Sequence, residues 1–276
     1  MRSPSVPLGL LPPGSEGLAL TLLGALVALF VGLWFVARAQ RNAAWVDVGW
    51  SGALGLLAIT YALLGDAPVL RRVALGLVVG LWSARLVVHL VRDRIRSGIE
   101  EGRYQALRAW LGPRADAAFL LIFVAQAGLA LLLSLPFALV AWNPGPTVHP
   151  LEVLGALGAV GAWVGEAIAD RQLAGFKARA DSAGRVCRDG LWGWSRHPNY
   201  FFEWLVWCGF ACMATPAPNG GWAWASPLLM LGLVLFVTGI PPTERRAVAS
   251  RGEAYRRYQR EVSAFVPWPP RAAQET

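Results

Sequence analysis

The chain alternates between long apolar blocks and short polar segments. The apolar blocks lie at roughly 17–38, 46–64, 72–91, 117–141, 151–169, 200–215 and 223–240. A helix that crosses the hydrocarbon core needs about 20 consecutive, mostly apolar residues, so the pattern predicts an all-α integral membrane protein with a bundle of about seven transmembrane helices. The second, sixth and seventh blocks are short or interrupted by Gly and Pro. Pro136 falls inside the fourth block, where it predicts a kink.

The distribution of charge predicts the orientation of this bundle. Charged residues make up 15% of the chain and hydrophobic residues 55%, whereas soluble proteins contain about 25% charged residues. Most of the 25 Lys and Arg residues follow the first, third and fifth spans or lie in the C-terminal tail. The positive-inside rule therefore places the N-terminus outside and the C-terminus in the cytoplasm. Arg71 and Arg72, on the predicted outer side, are the exception. Topology thus accounts for the net charge of +8 without a nucleic-acid partner.

The chain shows no internal repeat and no flexible linker, so we expect one membrane domain over residues 1–276. The predicted cytoplasmic segments are long and polar, while the outer loops "NPGPTVHP" and "TPAPNGG" are short, which places function on the cytoplasmic side. The fifth span contains Gly155, Gly158, Gly161 and Gly165. No strand precedes them, so they predict close approach of another helix rather than a dinucleotide fingerprint.

Basic residues follow one face of the third span. Arg85, His89, Arg92 and Arg96 recur at helical spacing. Basic groups at this depth require anionic partners or a water-filled cavity. Arg92 and Arg96 can alternatively extend to the interface. Arg85 lies deeper, so we predict that it binds a ligand or an anionic partner.

A second polar group lies at the cytoplasmic ends of the later spans and in the tail. Arginines bind phosphate well, whereas carboxylates and amides suit ribose hydroxyls. A salt-bridge network that only closes the bundle is the alternative. Ser195 and Pro198 also predict a helix start whose free N–H groups attract an anion. The candidate ligand-binding residues are Asp170, Lys177, Arg185, Arg196, His197, Asn199, Tyr200, Glu203, Glu244, Arg245, Arg246 and Tyr255.

Several kinds of site are excluded by what the sequence lacks. Its 3 His residues are too far apart for the histidine box of a di-iron desaturase. The sequence has neither a Cys-x-x-Cys zinc pattern nor a G-x-S-x-G elbow, and we predict no metal site. Cys187, Cys208 and Cys212 are predicted to be buried thiols.

The segment "GLWGWSRHPNYFFEW" gives the sequence a family resemblance. Together with "WVDVGW", "GRYQALR", "ADRQLAGFKA" and "TERR...GEAYRRYQREVSAFVPW", it resembles the DUF1295 group of bacterial membrane proteins. That group is similar to the C-terminal domain of steroid 5-alpha-reductases, and the resemblance covers roughly residues 40–270. The wider superfamily includes sterol C14-reductases and isoprenylcysteine carboxyl methyltransferases, so the motif does not fix the reaction.

The resemblance implies a bundle that binds NADPH in a cytoplasm-facing pocket. By position, cofactor contacts are expected from Asp170 and Lys177, from Asn199 and Glu203, and from the tail residues Glu244, Arg245 and Arg246. Asp47 of "WVDVGW" stands where the steroid enzymes have a Glu that polarises the substrate carbonyl. An N-cap of the second helix is the alternative role for Asp47. Phe202 also departs from the motif, which often has Gly there.

These observations together predict an NADPH-dependent reductase in the cell membrane, expected to be a bacterial inner membrane. It would reduce an activated, enone-type double bond in a lipophilic, steroid-like or isoprenoid-like substrate. Asp47, protonated by apolar surroundings, is the expected proton donor, with Tyr104 in reserve. One alternative is an S-adenosylmethionine-dependent methyltransferase, whose sulfonium cofactor suits Glu203 and nearby Trp residues. A lipid-binding protein without catalysis is another. Membrane lipid is the further expected partner.

Overall fold

The computed structural model describes residues 15–96 and 98–271 of the chain. This part is helical and has no strand, apart from an isolated bridge between Ser195 and Ser263. Short π-helical turns extend two of the helices, at Val91–Ile95 and at Leu233–Val237. The helices are α1 (Ser15–Gln40), α2 (Trp45–Leu64), α3 (Val69–Leu90), α4 (Gly102–Leu111), α5 (Ala115–Leu133), α6 (Leu135–Ala141), α7 (Pro150–Lys177), α8 (Pro198–Ala214), α9 (Ala225–Gly232), α10 (Ile240–Arg251) and α11 (Glu253–Glu261).

Six helical segments in the described residues are long and apolar enough to cross a membrane. The prediction of an all-α, multi-pass membrane protein is therefore confirmed. The predicted sixth span corresponds to α8, whose 17 residues fall short of the about 20 that a spanning helix needs. The count of seven spans and the orientation of the termini remain predictions. The six segments are Gly17–Gln40, Trp45–Leu64, Val69–Ile95, Gly102–Ala141, Pro150–Lys177 and Gly220–Arg251.

The predicted fourth span is divided rather than continuous. α5 ends at Leu133 and α6 begins at Leu135, with Pro136 in its first turn, because proline cannot donate to the preceding turn. Ser134 at the junction donates its hydroxyl to the Leu131 carbonyl at 2.7 Å and lies 3.1 Å from the Tyr61 hydroxyl. The kink expected at Pro136 is therefore a break between two helices.

The chain divides into two compact units. Unit 1 comprises residues 1–153 and 213–226, and α2 is its central helix, packed against α1, α3, α5 and α6. The Ser83 hydroxyl of α3 donates to the Ser51 carbonyl of α2 at 2.7 Å. A Cβ on Gly55 would lie 2.3 Å from that hydroxyl oxygen, so glycine at 55 permits the close approach of α2 and α3.

Contacts within unit 1 account for Arg71, one of the two arginines that depart from the positive-inside rule. The Arg71 guanidinium is buried and donates to both carboxylate oxygens of Glu152, at 2.6 and 2.9 Å. Its remaining donors meet the carbonyls of Asn143, Gly145 and Thr147 at 2.8–3.0 Å. Arg71 is therefore neutralised inside the protein and does not act as a free outer charge.

Unit 2 comprises residues 154–212 and 227–276 and contains most of α7 and α8 together with α10 and α11. Tyr255 and Tyr258 of α11 are buried in a cluster with Ala247 and Val262, while the arginines of α11 are exposed. This separation of an apolar and a basic face is the amphipathic pattern of a helix that packs on one side only.

Two glycines of unit 2 allow α7 and α8 to approach closely. A Cβ on Gly165 would lie 2.5 Å from the Phe202 ring, and one on Gly209 would lie 2.8 Å from the Ala159 backbone nitrogen. Gly158 and Gly161 have nothing within 4 Å of such a Cβ. The predicted close approach is confirmed at Gly165 and not at these two positions. Gly165 also makes room for Phe202, the residue that departs from the family motif.

Candidate functional site

The two predicted catalytic residues lie together in unit 1. Asp47 is in the first turn of α2 and accepts a hydrogen bond from the Tyr104 hydroxyl of α4 at 2.9 Å. Arg94 donates to the other carboxylate oxygen at 2.5 Å, and Arg103 contacts the same oxygen. Glu101 pairs with Arg94 at 2.9 Å. We call these five residues the Asp47 cluster.

The surroundings of Asp47 differ from those the sequence predicted. Two guanidinium groups contact the carboxylate, so the expectation of apolar surroundings that keep it protonated is wrong; neighbouring positive charge favours the ionised form. The N-cap alternative fails as well, because Ala44 occupies that position and α2 has no side-chain cap. Tyr104 is therefore the member of the pair that carries a transferable proton. The Asp47 side chain is 23% exposed, whereas Tyr104 is buried.

The basic face of α3 belongs to the same unit. Arg85 and His89 are half-buried, whereas Arg92 and Arg96 are exposed. The exposure of Arg92 and Arg96 agrees with the alternative in which they extend to the interface. Arg85 is half-buried in α3, and its binding of a ligand or an anionic partner stays a prediction.

In unit 2, the central motif and the tail form one hydrogen-bonded network. The Arg196 guanidinium donates to Glu244 at 2.6 Å and to the carbonyls of Gln259 and Val262 at 3.0 and 2.6 Å. His197 Nε2 lies 3.2 Å from the same Glu244 oxygen, and Gln259 donates to the other at 2.8 Å. These contacts hold the tail against the start of α8.

This network corrects the predicted roles of three residues. Arg196, His197 and Glu244 were expected to contact a cofactor, but their polar atoms hold the protein's own tail. The alternative of a salt-bridge network that closes the structure accounts for them, with Arg196 as the partner of Glu244. Ser195 completes the closure, since its hydroxyl donates to the Phe265 carbonyl at 2.8 Å and accepts from the His197 amide at 3.1 Å.

The predicted polar residues of α7 and α8 are also brought together. The Asn199 amide nitrogen lies 3.5 Å from an Asp170 carboxylate oxygen. One turn further along α8, Glu203 accepts a hydrogen bond from the Trp207 indole at 3.0 Å. The ring of Tyr200 stacks on His197, with centroids 5.4 Å apart. Asp170 and Asn199 thus form a paired carboxylate and amide, as a site for hydroxyl groups would require.

Tyr255 and the three cysteines, which the sequence analysis singled out, are buried or partly buried in unit 2. Tyr255 packs edge-on against Tyr258 at 5.7 Å, and burial raises the pKa of both hydroxyls. Tyr255 is therefore a core residue rather than an accessible ligand contact. Cys187 is buried as predicted, and burial raises the pKa of its thiol, which lowers its reactivity. Cys208 and Cys212 are partly buried.

Four of the predicted cationic residues of unit 2 are exposed. Lys177 ends α7, and Arg245 and Arg246 lie on α10. These three make no ion pair with any carboxylate in the part of the chain that the structure describes. Arg185 instead pairs with Asp181, and its carbonyl accepts from Arg251 at 2.8 Å. Lys177, Arg245 and Arg246 are therefore the basic groups open to an anionic ligand.

Comparison with known proteins identifies the family. The model of a family described as "Protein of unknown function (DUF1295)" matches residues 33–262. The chain belongs to the DUF1295 family. It is 27% identical over 288 residues to an uncharacterized protein, C594.04c, of Schizosaccharomyces pombe, an alignment that covers 89% of this chain and 79% of that protein. No solved structure matches the chain.

The DUF1295 match includes the three polar groups described above. It begins before Asp47 and ends at Val262, so it contains the Asp47 cluster, the Asp170–Asn199 pair and the Arg196–Glu244 network. The segment from Ser263 to Arg271 follows the matched range.

Proposed function

We propose that this DUF1295 protein is an NADPH-dependent membrane reductase that acts on an enone-type double bond of a lipophilic substrate. The observation that carries the proposal is the Asp47 cluster, in which the Tyr104 hydroxyl lies 2.9 Å from an ionised carboxylate and beside two arginines. Within the cluster, Asp47 stands where the resemblance to steroid 5-alpha-reductases implies a Glu that polarises the substrate carbonyl. The steroid-like or isoprenoid-like nature of the substrate rests on that resemblance.

The residues of the cluster suit the protonation half of such a reduction. When the β-carbon of an enone accepts a hydride, negative charge develops on the carbonyl oxygen. Tyr104 can donate its proton to that oxygen, and Arg94 and Arg103 supply fixed positive charge that stabilises it. The Arg103 guanidinium lies 4.6 Å from the centre of the Tyr104 ring, where its positive charge offsets part of the repulsion between Asp47 and the phenolate left behind. Asp47 orients the arginines and the tyrosine.

Unit 2 supplies groups whose chemistry fits NADPH. NADPH carries a pyrophosphate and a 2′-phosphate, and Lys177, Arg245 and Arg246 are exposed cations that can bind phosphate oxygens. The Asp170–Asn199 pair offers an acceptor and an amide for ribose hydroxyls. Bound NADPH would supply the hydride. Arg196 is not assigned to this role, because its donors are used by the tail.

A methyltransferase that uses S-adenosylmethionine is the second candidate. The observation in its favour is the Glu203 carboxylate, which accepts from the Trp207 indole at 3.0 Å. A carboxylate beside an aromatic ring suits a sulfonium cation. The exposed cations Lys177, Arg245 and Arg246 favour NADPH instead, since S-adenosylmethionine has no phosphate.

The proposal includes a cytoplasm-facing site in a cell membrane, with seven spans, the N-terminus outside and the C-terminus inside. Two features of unit 1 support it. The end of α3 and the starts of α2 and α4 meet at the Asp47 cluster, while the start of α3 and the loop before α7 meet at Arg71. Successive loops of unit 1 therefore gather at opposite ends of its helices, as spanning helices require.

Thermal-shift titration of the purified chain with each cofactor tests the function. We expect NADPH to raise the melting temperature, because a ligand that binds only the folded state stabilises it. Arg245→Gln with Arg246→Gln should weaken the apparent affinity about tenfold. Arg92→Gln, an exposed arginine of unit 1, is the matched control and should bind like wild type. Tyr104→Phe should also bind NADPH normally, since its role is protonation.

Two outcomes would contradict the reductase proposal. Stabilisation by S-adenosylmethionine alone would favour the methyltransferase. Stabilisation by neither cofactor would favour a lipid-binding protein without catalysis.

A further inference from the structure

A small basic cavity lies at the end of unit 2, beside the segment that follows the DUF1295 match. Its volume is about 280 Å³. Ligand sites for drug-sized molecules begin at about 300 Å³, so this cavity suits a small group rather than a dinucleotide. Its lining residues are Arg196, Gln259, Arg260, Glu261, Val262, Ser263, Ala264, Trp268, Pro269 and Arg271.

The charged residues of the lining leave a positive excess. They comprise three arginines and one carboxylate. That carboxylate, Glu261, is already paired with Arg188 at 2.5 Å, and Arg196 is neutralised by Glu244. Arg260 pairs with Glu253 across an exposed contact, which contributes little and exchanges readily with other anions.

Backbone hydrogen bonds fix the wall of the cavity that carries Arg271. The Arg271 amide donates to the Glu261 carbonyl at 2.8 Å, which returns the chain to the end of α11. The Arg271 side chain is exposed and forms no ion pair with a described carboxylate. Ser263 adds a hydroxyl that is likewise unused within the described residues. Two cationic donors and a hydroxyl around a small cavity match the geometry of a phosphate group.

Apolar and aromatic side chains stand exposed next to this cavity. Trp268 is 69% exposed, Val266 is 51% exposed and Trp194 is 50% exposed. The Trp268 amide donates to the Trp194 carbonyl at 3.0 Å, so the backbones of these two exposed tryptophans are adjacent. Tryptophan is enriched where protein meets the membrane–water interface, and arginine beside it is attracted to anionic lipid.

We propose that this cavity binds the phosphate of an anionic phospholipid headgroup. Arg260 and Arg271 pair with the phosphate oxygens, the Ser263 hydroxyl donates to one of them, and Trp194 and Trp268 contact the interfacial part of the lipid. The site is separate from the proposed reductase chemistry. Its occupancy is tested without NADPH, so either proposal can fail without the other.

The test uses the full chain, purified in a neutral detergent and titrated with short-chain phosphatidylglycerol while its melting temperature is measured. We expect phosphatidylglycerol to stabilise the chain, and phosphatidylcholine and inorganic phosphate at the same concentrations to have little effect. Arg271→Gln and Arg260→Gln should each raise the phosphatidylglycerol concentration for half-maximal stabilisation about tenfold. If Arg260→Gln unfolds, the shift in the phosphatidylglycerol titration of Arg271→Gln alone tests the proposal.

Two control variants separate this site from general attraction of charge. Arg257→Gln removes an exposed arginine of the same helix that does not line the cavity, and Glu253→Gln removes the partner of Arg260. Both should respond to phosphatidylglycerol at least as well as wild type. An equal loss in Arg257→Gln, an equal effect of phosphatidylcholine, or equal protection by inorganic phosphate would each overturn the proposal.

Discussion

At the scale of single residues, burial determines how strongly a charged side chain affects the stability of this protein. Arg71 and Glu152 keep only 2% and 6% of their side-chain surface exposed, and every contact of Arg71 with Glu152 or the adjoining carbonyls is within 3.0 Å. Removing one member of such a pair leaves the other charge buried and uncompensated. The pair should therefore be far more important for stability than the exposed ion pairs of unit 2.

Arg71→Gln should lower the free energy of unfolding by about 3–5 kcal/mol, and Glu152→Gln should act similarly. The double variant should lose less than the sum of the two, because neither charge then remains alone. Unfolding of the detergent-solubilised chain by heat or denaturant measures these changes. Arg92→Gln removes an exposed arginine near the other end of the same helical segment and should change stability by less than about 0.5 kcal/mol. Equal effects at residues 71 and 92 would refute the assignment.

The sequence marked Arg71 as an exception but did not identify its partner. Arg71 and Glu152 are 81 residues apart, and no local periodicity connects them. The sequence correctly placed Asp47 near the start of a helix, but it likewise did not identify the partners of Asp47. Its neighbours Arg94 and Arg103 come from other elements, so the ionic character of its surroundings depends on tertiary packing.

At the scale of helices, small residues determine how closely α7 and α8 approach. A Cβ at Gly209 would lie 2.8 Å from backbone atoms of Ala159 and Gly155. Backbone cannot move aside as a flexible side chain can. Gly161, in contrast, has open space where its Cβ would stand.

Gly209→Ala should destabilise the protein by about 1–3 kcal/mol, the usual cost of overpacking. Gly161→Ala is the matched control. It should be neutral or stabilising by up to about 1 kcal/mol, because alanine favours the helix and meets no obstacle. Melting temperatures of both variants in the same detergent compare them directly. A stable Gly209→Ala would show that the two helices separate at no cost.

The apolar blocks predicted the main helices well, because spanning length and hydropathy are local properties. The end of α7 and the helices of the C-terminal tail were less predictable from the sequence. α7 extends to Lys177, beyond the apolar block, because polar residues continue its helical pattern. The tail forms α10 and α11, which its charged composition did not reveal, since the buried face of α11 consists only of Tyr255 and Tyr258. The closing role of Arg196 depends on carbonyls about 65 residues away.

At the scale of the whole molecule, the fold class follows from sequence and the orientation is still to be measured. Single cysteines can be placed at Thr147, Asn219, Arg185 and Arg257, which are all exposed, in a background without Cys187, Cys208 and Cys212. An impermeant maleimide added to intact cells should label positions 147 and 219, and positions 185 and 257 only after lysis. Labelling of 185 and 219 from the same side would exclude the seven-span topology and the cytoplasmic site together.

The Arg71–Glu152 pair also bears on how the protein is made. Translation adds about 5–20 residues per second, so Arg71 is incorporated about 4–16 seconds before its partner 81 residues later. During that interval the first three spans carry a cation that the finished protein keeps out of water. Until Glu152 arrives, this arginine must stay hydrated or be held by the insertion machinery. Biogenesis of the N-terminal half is therefore completed only when α7 begins to emerge.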